Sequence, residues 1–463
     1  MTLIKSISGF RGTIGGEPGT NLTPVDIVNF ATAFALFIKE SSKKENPTIV
    51  VGRDARLSGE MLEGLVNNTL VAMGIHVVTL GLSTTPTVEM AVIDLQADGG
   101  IILTASHNPK QWNALKLVNA KGEFISAKEG ELLLQLIEKQ AFNYAPINKI
   151  GKITVDNTQM DKHIEKILAL KLVDVDAITK ANFKVAVDGV NSTGGISILP
   201  LLRALGVYQV VDIYCEPTGK FPHNPEPLPE HLKDLSDLVL TEKADVGFVV
   251  DPDVDRLAIV SENGNPFGEE YTLVAIADYI LSHKSGNTVS NLSSTRALQS
   301  ITQIHEGNYN ASAVGEVNVV EMMKKTKAII GGEGNGGVIY PELHYGRDAL
   351  VGIALFLSLM AQKKQKVSMI RASFPDYYIS KNKISLDEGM DVDDLLAKIA
   401  EKYKDERIST IDGVKIEFDT EWVHLRKSNT EAIIRIYAES NSLSKAEHLA
   451  DKIKMDIGEF LKA

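Results

Sequence analysis

The sequence predicts an α/β protein of repeated strand-and-helix units that ends in a smaller α+β domain. The first observation is a recurring pattern in which an apolar, β-branched run stops abruptly at small and polar residues. It occurs at Ile49-Val50-Val51 before Gly52-Arg53-Asp54, Ile101-Ile102-Leu103 before Thr104-Ala105-Ser106-His107, and Val185-Ala186-Val187 before Asp188-Gly189. It recurs where Val246 to Val250 meets Asp251 and where Ala328-Ile329-Ile330 meets Gly331-Gly332. Continuous apolar runs suit strands buried on both faces of mixed or parallel sheets, and helix-like segments follow them. The second observation is a change of character near the C-terminus. Val414 to Phe418 and Ile433 to Tyr437 alternate as half-exposed strands beside helical patterns at Leu395-Leu396 and from Ser444, as in a small antiparallel sheet with helices.

Taken in order, Thr23-Pro24-Val25-Asp26 opens a helix with a cap and a proline in favoured positions, and Phe30, Phe34 and Phe37 continue it. Ala349 to Ala361 is the most apolar window. It falls short of the roughly 20 residues a bilayer crossing needs and reads as a buried core helix. A length of 463 residues corresponds to about three or four domains. Breaks within Gln140–Lys152, near Asp251 and within Lys363–Tyr377 divide the chain into expected domains 1–147, 148–250, 251–368 and 369–463.

Composition removes several function classes. A hydrophobic fraction of 44% with 23% charged residues excludes a disordered or fibrous chain. Cys215 is the single cysteine, so intramolecular disulfides and Cys-based metal clusters are excluded and a reducing, cytoplasmic setting is expected. The net charge of −12 argues against nucleic-acid and anionic-membrane partners, while leaving room for a local basic pocket. The first ten residues lack the charged start and apolar stretch of a secretory signal. Nothing in the sequence specifies an oligomeric state.

Four clusters at strand ends carry chemistry, and ligands of such sheets gather beyond strand C-termini. Asp251-Pro252-Asp253-Val254-Asp255-Arg256 places three carboxylates at alternate positions, a donor set for a hard dication such as Mg²⁺. An EF-hand fails because Arg256 stands where that loop needs glycine and Leu257 to Val260 reads as a returning strand. A solvated acidic turn is the plainer alternative, but self-repelling carboxylates favour a cation. Thr104 to Pro109 offers Ser106 as a nucleophile or phosphorylation site, although a serine in a polar turn is commonly a cap. Gly332-Glu333-Gly334-Asn335-Gly336-Gly337 matches a dinucleotide fingerprint only formally, since Val338-Ile339-Tyr340-Pro341 opens no helix. Its glycines, Gly336 among them, let backbone approach a ligand while Glu333 and Asn335 contact polar groups. Arg426-Lys427-Ser428-Asn429-Thr430-Glu431 with Arg435 has the ingredients of a phosphate cradle or of a solvated strand face.

In this order the clusters, together with Phe10-Arg11-Gly12, resemble the α-D-phosphohexomutase superfamily over almost the whole chain. The resemblance implies three related mixed-sheet α/β domains plus a smaller C-terminal α+β domain around a central cleft. It implies that Ser106 carries a phosphoryl group and that Mg²⁺ bridges it to Asp251, Asp253 and Asp255. Arg11, Lys116 and Arg256 would offset phosphoryl charge; Arg426, Ser428, Asn429, Thr430 and Arg435 would hold the distal phosphate. Phosphoryl transfer would pass through a hexose 1,6-bisphosphate. Many bacterial members carry a histidine where this chain has Gly337, which leaves Lys116 and His107 as the candidates for proton transfer. The Glu-x-Asn-Gly and Ser-Asn-Thr-Glu forms resemble archaeal-type phosphoglucosamine mutases. An amide suits a 2-amino sugar because it both donates and accepts. The expected function is therefore interconversion of glucosamine 6-phosphate and glucosamine 1-phosphate. The alternatives are a phosphomannomutase/phosphoglucomutase of relaxed specificity, a metal-dependent phosphatase, or a non-catalytic sugar-phosphate-binding protein.

Overall fold

The apolar runs become strands, and their composition decides which kind. Residues 2–6, 9–140, 142–386, 391–427 and 433–460 are described by the computed structural model. Four sheets underlie a four-domain α/β architecture, and the chain divides into two compact units, Met1–Tyr279 with Asn335–Arg371, and Ile280–Gly334 with Ala372–Ala463.

The first unit begins with seven strands: β1 (Ile4–Ser6), β2 (Gly9–Thr13), β3 (Thr48–Arg53), β4 (His76–Leu82), β5 (Gly99–Leu103), β6 (Trp112–Asn119) and β7 (Ile153–Val155). Their order is β1-β2-β6-β5-β3-β4-β7. The β5-β3-β4-β7 stretch is parallel and the β1-β2-β6-β5 stretch antiparallel, so the sheet is mixed. Every residue of β5 is buried, as expected of a strand covered on both faces. The helix Pro24–Ser42 starts where Thr23 and Asp26 cap one another, and its Phe30 stacks on Phe10 with ring centroids 4.0 Å apart.

A second sheet in this unit has the order β11-β10-β8-β9, from β8 (Lys184–Asp188), β9 (Gln209–Ile213), β10 (Val246–Val250) and β11 (Leu257–Ser261). β8, β9 and β10 are parallel, and β11 returns antiparallel to β10. The turn Asp251–Arg256 therefore links two paired strands of one sheet, and the break expected after residue 250 falls inside a hairpin. Hydrogen bonding across the hairpin overrides the local change in polarity that suggested the break. The helix Ala349–Lys363 is buried at every position from Ala349 to Ala361, as its composition predicts. Its Phe356 packs edge-on against Phe248 of β10 and Phe267.

In the second unit, β12 (Thr288–Asn291), β13 (Tyr309–Ser312) and β14 (Ile330–Glu333) are parallel in the order β13-β12-β14. The short strand β15 (Gly337–Ile339) belongs to the first unit. The C-terminal sheet, all antiparallel, has the order β16-β20-β19-β18-β17. Its strands are β16 (Tyr378–Ser385), β17 (Arg407–Ser409), β18 (Val414–Glu417), β19 (Trp422–Lys427) and β20 (Ile433–Ser440). The helices Val392–Lys402 and Leu443–Phe460 supply Leu396, Ile399, Ala450 and Ile453 to one core with Ile416, Val423 and Ile436.

Two predictions follow from this packing. Phe356→Ala removes a ring that meets two others in a fully buried layer and should cost about 3–5 kcal/mol, read as a lower urea midpoint. His424 is buried; its Nε2–H donates to the Asp412 carbonyl at 2.7 Å and its Nδ1 lies 2.9 Å from the Ser293 hydroxyl. Burial, then Lys415 and Arg426, lower its pKa to about 4 against the pull of the Asp412 carbonyl. Between the unfolded pKa and this value the unfolded chain binds a proton that the folded chain refuses. Stability should therefore be present near neutral pH and fall by about 3 kcal/mol as pH drops from about 6.5 to about 4. His424→Gln should flatten that slope in urea unfolding followed across the same window.

Candidate active site

Ser106 leaves β5 in a loop that turns through the left-handed region, with φ +48° at Ser106 itself. A non-glycine residue is held there only when its surroundings over-determine it. Those surroundings are explicit. The Ser106 N–H donates to Thr104 Oγ1 at 2.9 Å, and Thr104 donates to Asp54 Oδ2 at 2.7 Å. Asp54 pairs with Arg56 Nε at 3.0 Å. The Arg56 guanidinium then donates to four carbonyls of the serine loop, those of Ser106, Asn108, Pro109 and Trp112. A fully buried arginine thus takes the loop's otherwise unmet acceptors, which a lysine's single point of charge cannot do in that geometry.

The Ser106 hydroxyl donates to Asp251 Oδ2 at 2.6 Å, from the first sheet to the second. Asp251, Asp253 and Asp255 are fully buried, and one ligand oxygen from each lies within 4.8 Å of the others. The turn that gathers them places Val254, a buried β-branched residue, at φ +63°, a costly conformation for that side chain. The backbone N–H groups of Asp255 and Arg256 donate to Asp251 Oδ1. Thr85 contacts Asp253 twice, by Oγ1 to Oδ2 at 2.5 Å and by N to O at 2.9 Å.

Cations converge on the triad. Lys116 Nζ, on β6, is 2.7 Å from Asp253 Oδ2 and 3.3 Å from Asp255 Oδ2. Arg347 Nη2 is 2.7 Å from Asp255 Oδ2. Arg256 Nη1 reaches Glu226 Oε1 at 3.3 Å. Burial opposes the Lys116 charge, but Asp253 and Asp255 outweigh it and its pKa rises. Burial would raise Asp255 as well, yet Arg347, Lys116 and Arg256 hold its carboxyl well below the usual range. Asp251 goes the other way: burial first, then Asp255 and Asp253, push it well above the ordinary value. His107 Nδ1 lies 3.4 Å from Ser106 Oγ, and its Nε2 lies 3.9 Å from Glu226 Oε1. Burial and Arg256 lower its pKa to about 2, which keeps the imidazole neutral.

The triad fits a dication on its own structure. Asp253 Oδ1 and Asp255 Oδ1 are buried oxygens that accept no hydrogen bond from the protein, and Asp251 is strained by its neighbours' charge. An all-oxygen donor set with room for phosphate oxygens suits Mg²⁺.

The other expected residues are placed as follows. Arg11 is on β2 opposite Ala114 of β6, and is exposed. In the first unit, Asn335 Oδ1 accepts from Gly337 N at 3.2 Å. Gly336 has φ +86°, its carbonyl accepts from Leu257 N, and a Cβ there would stand 2.4 Å from the Leu257 carbonyl, so only glycine fits. In the second unit, Glu333 accepts at one oxygen from Asn291 Nδ2 at 2.8 Å and from Gly315 N at 3.1 Å. Arg426 pairs with Asp412 at 2.8 Å and stands directly opposite Arg435 across β19 and β20. Ser428, Asn429 and Thr430 lie outside the described residues.

Sequence reasoning missed Arg56, Arg347, Thr85, Glu226 and Lys383. The signal for Arg56 was present in Gly52-Arg53-Asp54-Ala55-Arg56, two arginines flanking an aspartate just past a buried strand. Arg347 stands two residues before the apolar run Ala349 to Ala361, and nothing local marks it as a site residue. Lys383 pairs in register with Arg435, so Lys383, Arg435 and Arg426 form one cross-strand row of cations. Like charges directly opposite destabilise a sheet, which makes this row a natural seat for an anion.

A serine hydroxyl seated on a buried acidic triad and ringed by lysine and arginine, on a four-domain α/β chain, marks the phosphohexomutase class. Family models of phosphoglucomutase/phosphomannomutase match in sequence: α/β/α domain I at residues 3–144, domain II at 161–264, domain III at 268–378 and the C-terminal domain at 383–455. The chain is similar to a phosphoglucomutase/phosphomannomutase of Thermococcus kodakarensis, 35% identical over 96% of this chain and 97% of that one. It is likewise similar to a phosphoglucosamine/phosphogalactosamine mutase of Sulfurisphaera tokodaii, 32% identical over 98% and 99%. The crystal structure of a phosphoglucomutase/phosphomannomutase family protein from Burkholderia thailandensis superposes with a TM-score of 0.84 at 26% identity, covering 98% of this chain and 96% of that one. The chain belongs to the α-D-phosphohexomutase superfamily. No helix among the described residues is long and apolar enough to cross a membrane.

The Arg56 network generates a prediction. Arg56→Ala leaves Asp54 as a buried charge without its partner and should destabilise the chain by about 3–5 kcal/mol. Arg56→Lys keeps the charge but loses the fork of donors; it should fold and lose about 100-fold in kcat, the scale of a misplaced reacting group. Urea unfolding and initial rates on both variants check this.

Proposed function

We propose that this phosphohexomutase, an intramolecular phosphotransferase, interconverts glucosamine 6-phosphate and glucosamine 1-phosphate through phosphorylated Ser106 and a hexose 1,6-bisphosphate. The observation that carries the reading is the Ser106 hydroxyl held 2.6 Å from Asp251 within the acidic triad. In the forward half-reaction the P–O bond to Ser106 breaks as a sugar hydroxyl forms a new P–O bond and gives up its proton. The Ser106 oxygen takes up a proton and is left as a hydroxyl. In the second half the intermediate returns its other phosphate to Ser106.

Asp251, Asp253 and Asp255 would hold Mg²⁺. When bound it supplies charge neutralisation for phosphoryl oxygens and for the departing serine oxygen. Lys116, Arg256 and Arg347 add fixed positive charge at the same place, and Arg11 is assigned to the incoming phosphate. His107, 3.4 Å from Ser106 Oγ, and Lys116 are the candidates for moving the proton. Arg426, Arg435, Ser428, Asn429 and Thr430 are assigned to the phosphate that does not react, and Glu333, Asn335 and Gly336 to the sugar. Binding remote from the reacting atoms is what positions a transfer that needs little covalent help from the protein. The compartment is assigned as the cytoplasm, a reducing setting that suits a chain with the single cysteine Cys215.

The amino-sugar assignment rests on the Asn335 amide and on similarity to mutases named for phosphoglucosamine. A second reading, a phosphomannomutase/phosphoglucomutase of relaxed specificity, is favoured by the 35% identical relative of that name. Initial rates with the glucosamine, glucose and mannose phosphates, each primed with its 1,6-bisphosphate, separate them. The expected result is the highest kcat/KM for glucosamine phosphate; equal or greater turnover of the others selects the second reading. Intact mass should rise by one phosphoryl group after bisphosphate treatment and stay unchanged in Ser106→Ala, whose activity should be lost.

A further inference from the structure

Behind the metal loop lies a buried polar cluster that the mechanism does not use. Thr87 Oγ1 is 2.9 Å from His163 Nδ1, and His163 Nε2 is 2.9 Å from Asp348 Oδ2. His344 Nε2 reaches the same oxygen at 3.3 Å, and its Nδ1 faces Glu89 Oε2 at 3.5 Å. All five side chains are buried. The Asp348 carboxylate is acceptor-only and is held well below the usual range, despite its burial, by His163 and His344. Both imidazoles therefore donate from Nε2 to that carboxylate, and His163 Nδ1 shares a hydrogen bond with the Thr87 hydroxyl. The Thr87–His163, His163–Asp348 and His344–Asp348 contacts are at direct hydrogen-bond distances, and the His344–Glu89 contact is a longer ion-pair approach.

The cluster's position gives it significance. Thr87 and Glu89 lie on the helix Thr85–Asp94, whose first residue holds Asp253 by side chain and backbone. Asp348 caps the helix Ala349–Lys363, its other oxygen accepting from Leu350 N and Val351 N. That helix's first N–H donates to the Val254 carbonyl at 3.1 Å, and the residue before the cap is Arg347, on Asp255. Two helix N-termini thus abut the metal loop; His163 ties the first turn of one helix to the cap of the other, and His344 bonds that cap and faces Glu89 on the same helix as Thr87. At Gly346 a Cβ would stand 1.8 Å from Glu89 Oε2, so the segment carrying His344 and Asp348 passes directly over that side chain.

We propose that His163 and His344 are positioning residues that set the spacing of these two helix starts and thereby the geometry of the Asp251–Asp253–Asp255 cation site. The proposal rests on the reading of that loop as a Mg²⁺ site. Groups that orient metal ligands without touching the ion change affinity or activity by about 10–100-fold when removed.

The test is Mg²⁺ binding to the purified full chain by calorimetry, alongside mutase kcat and KM. His163→Phe keeps a ring and removes both hydrogen bonds; Thr87→Val deletes the hydroxyl that meets His163 Nδ1 and also Thr84 Oγ1 and Met160 Sδ. Both should weaken Mg²⁺ binding, His163→Phe by about tenfold or more, and lower kcat at limiting Mg²⁺ while KM for the hexose phosphate holds. His163→Gln, with a donor for Asp348, should recover part of the affinity. Wild-type Mg²⁺ affinity in both His163→Phe and Thr87→Val, with only thermal stability lowered, would overturn the proposal. If the wild type binds Mg²⁺ but isomerises no hexose phosphate, the mutase reading falls while the comparison of affinities still decides this one.

Discussion

Three carboxylates buried on one tight turn are the constraint on which the rest of the first unit depends. Asp251, Asp253 and Asp255 have no exposure to solvent. Charges so placed repel one another and are kept only by compensation from every side. Lys116 comes from the first sheet, Arg347 from the approach to a buried helix, and two backbone amides from the turn itself. Even so the compensation is uneven: Asp255 is over-supplied with cations and Asp251 is starved of them. That asymmetry places the serine hydroxyl beside the carboxylate most in need of a positive partner. It also explains why a β-branched residue is tolerated in a left-handed conformation between the acids, since the fold gains more from converging the carboxylates than it loses at Val254.

Much of this was legible from residues alone. Buried parallel strands announced themselves by uninterrupted apolar runs, and the acidic loop, the serine loop and the glycine-rich loop stood out because each interrupts such a run. The alternation in Val414 to Phe418 and Ile433 to Tyr437 indicated a sheet with one covered face, and the C-terminal sheet has it. The split after residue 250 misled because polarity changes at a hairpin turn just as it does at a domain border, and only strand pairing tells the two apart. Arg347, His163 and His344 were illegible for another reason. Each acquires its meaning from a partner distant in the chain, and nothing in Gly346-Arg347-Asp348 reports that Asp255 will be its neighbour. Arg56 lies between these cases, since its neighbourhood was flagged while its four carbonyl partners belong to a loop some fifty residues on.

Rigidity is distributed unequally around the site. The serine loop is held by a buried guanidinium, the metal turn by helix starts and a strained residue, and the glycine-rich loop by the close passage of Gly336 over Leu257. Each device fixes backbone rather than side chain. This leaves Lys116, with its flexible stem and partial exposure, able to change partners as charge moves.

The hydrogen bond from Ser106 to Asp251 has a consequence of another kind. A serine oxygen esterified by phosphate has no proton to donate, so this bond exists only in the unmodified chain. Esterification exchanges a donor for about two negative charges at the seam between the first two sheets. The chemical state of a single oxygen is therefore written into the cohesion of that seam. On the proposed mechanism, that seam would hold a different set of bonds and charges before and after each phosphoryl transfer.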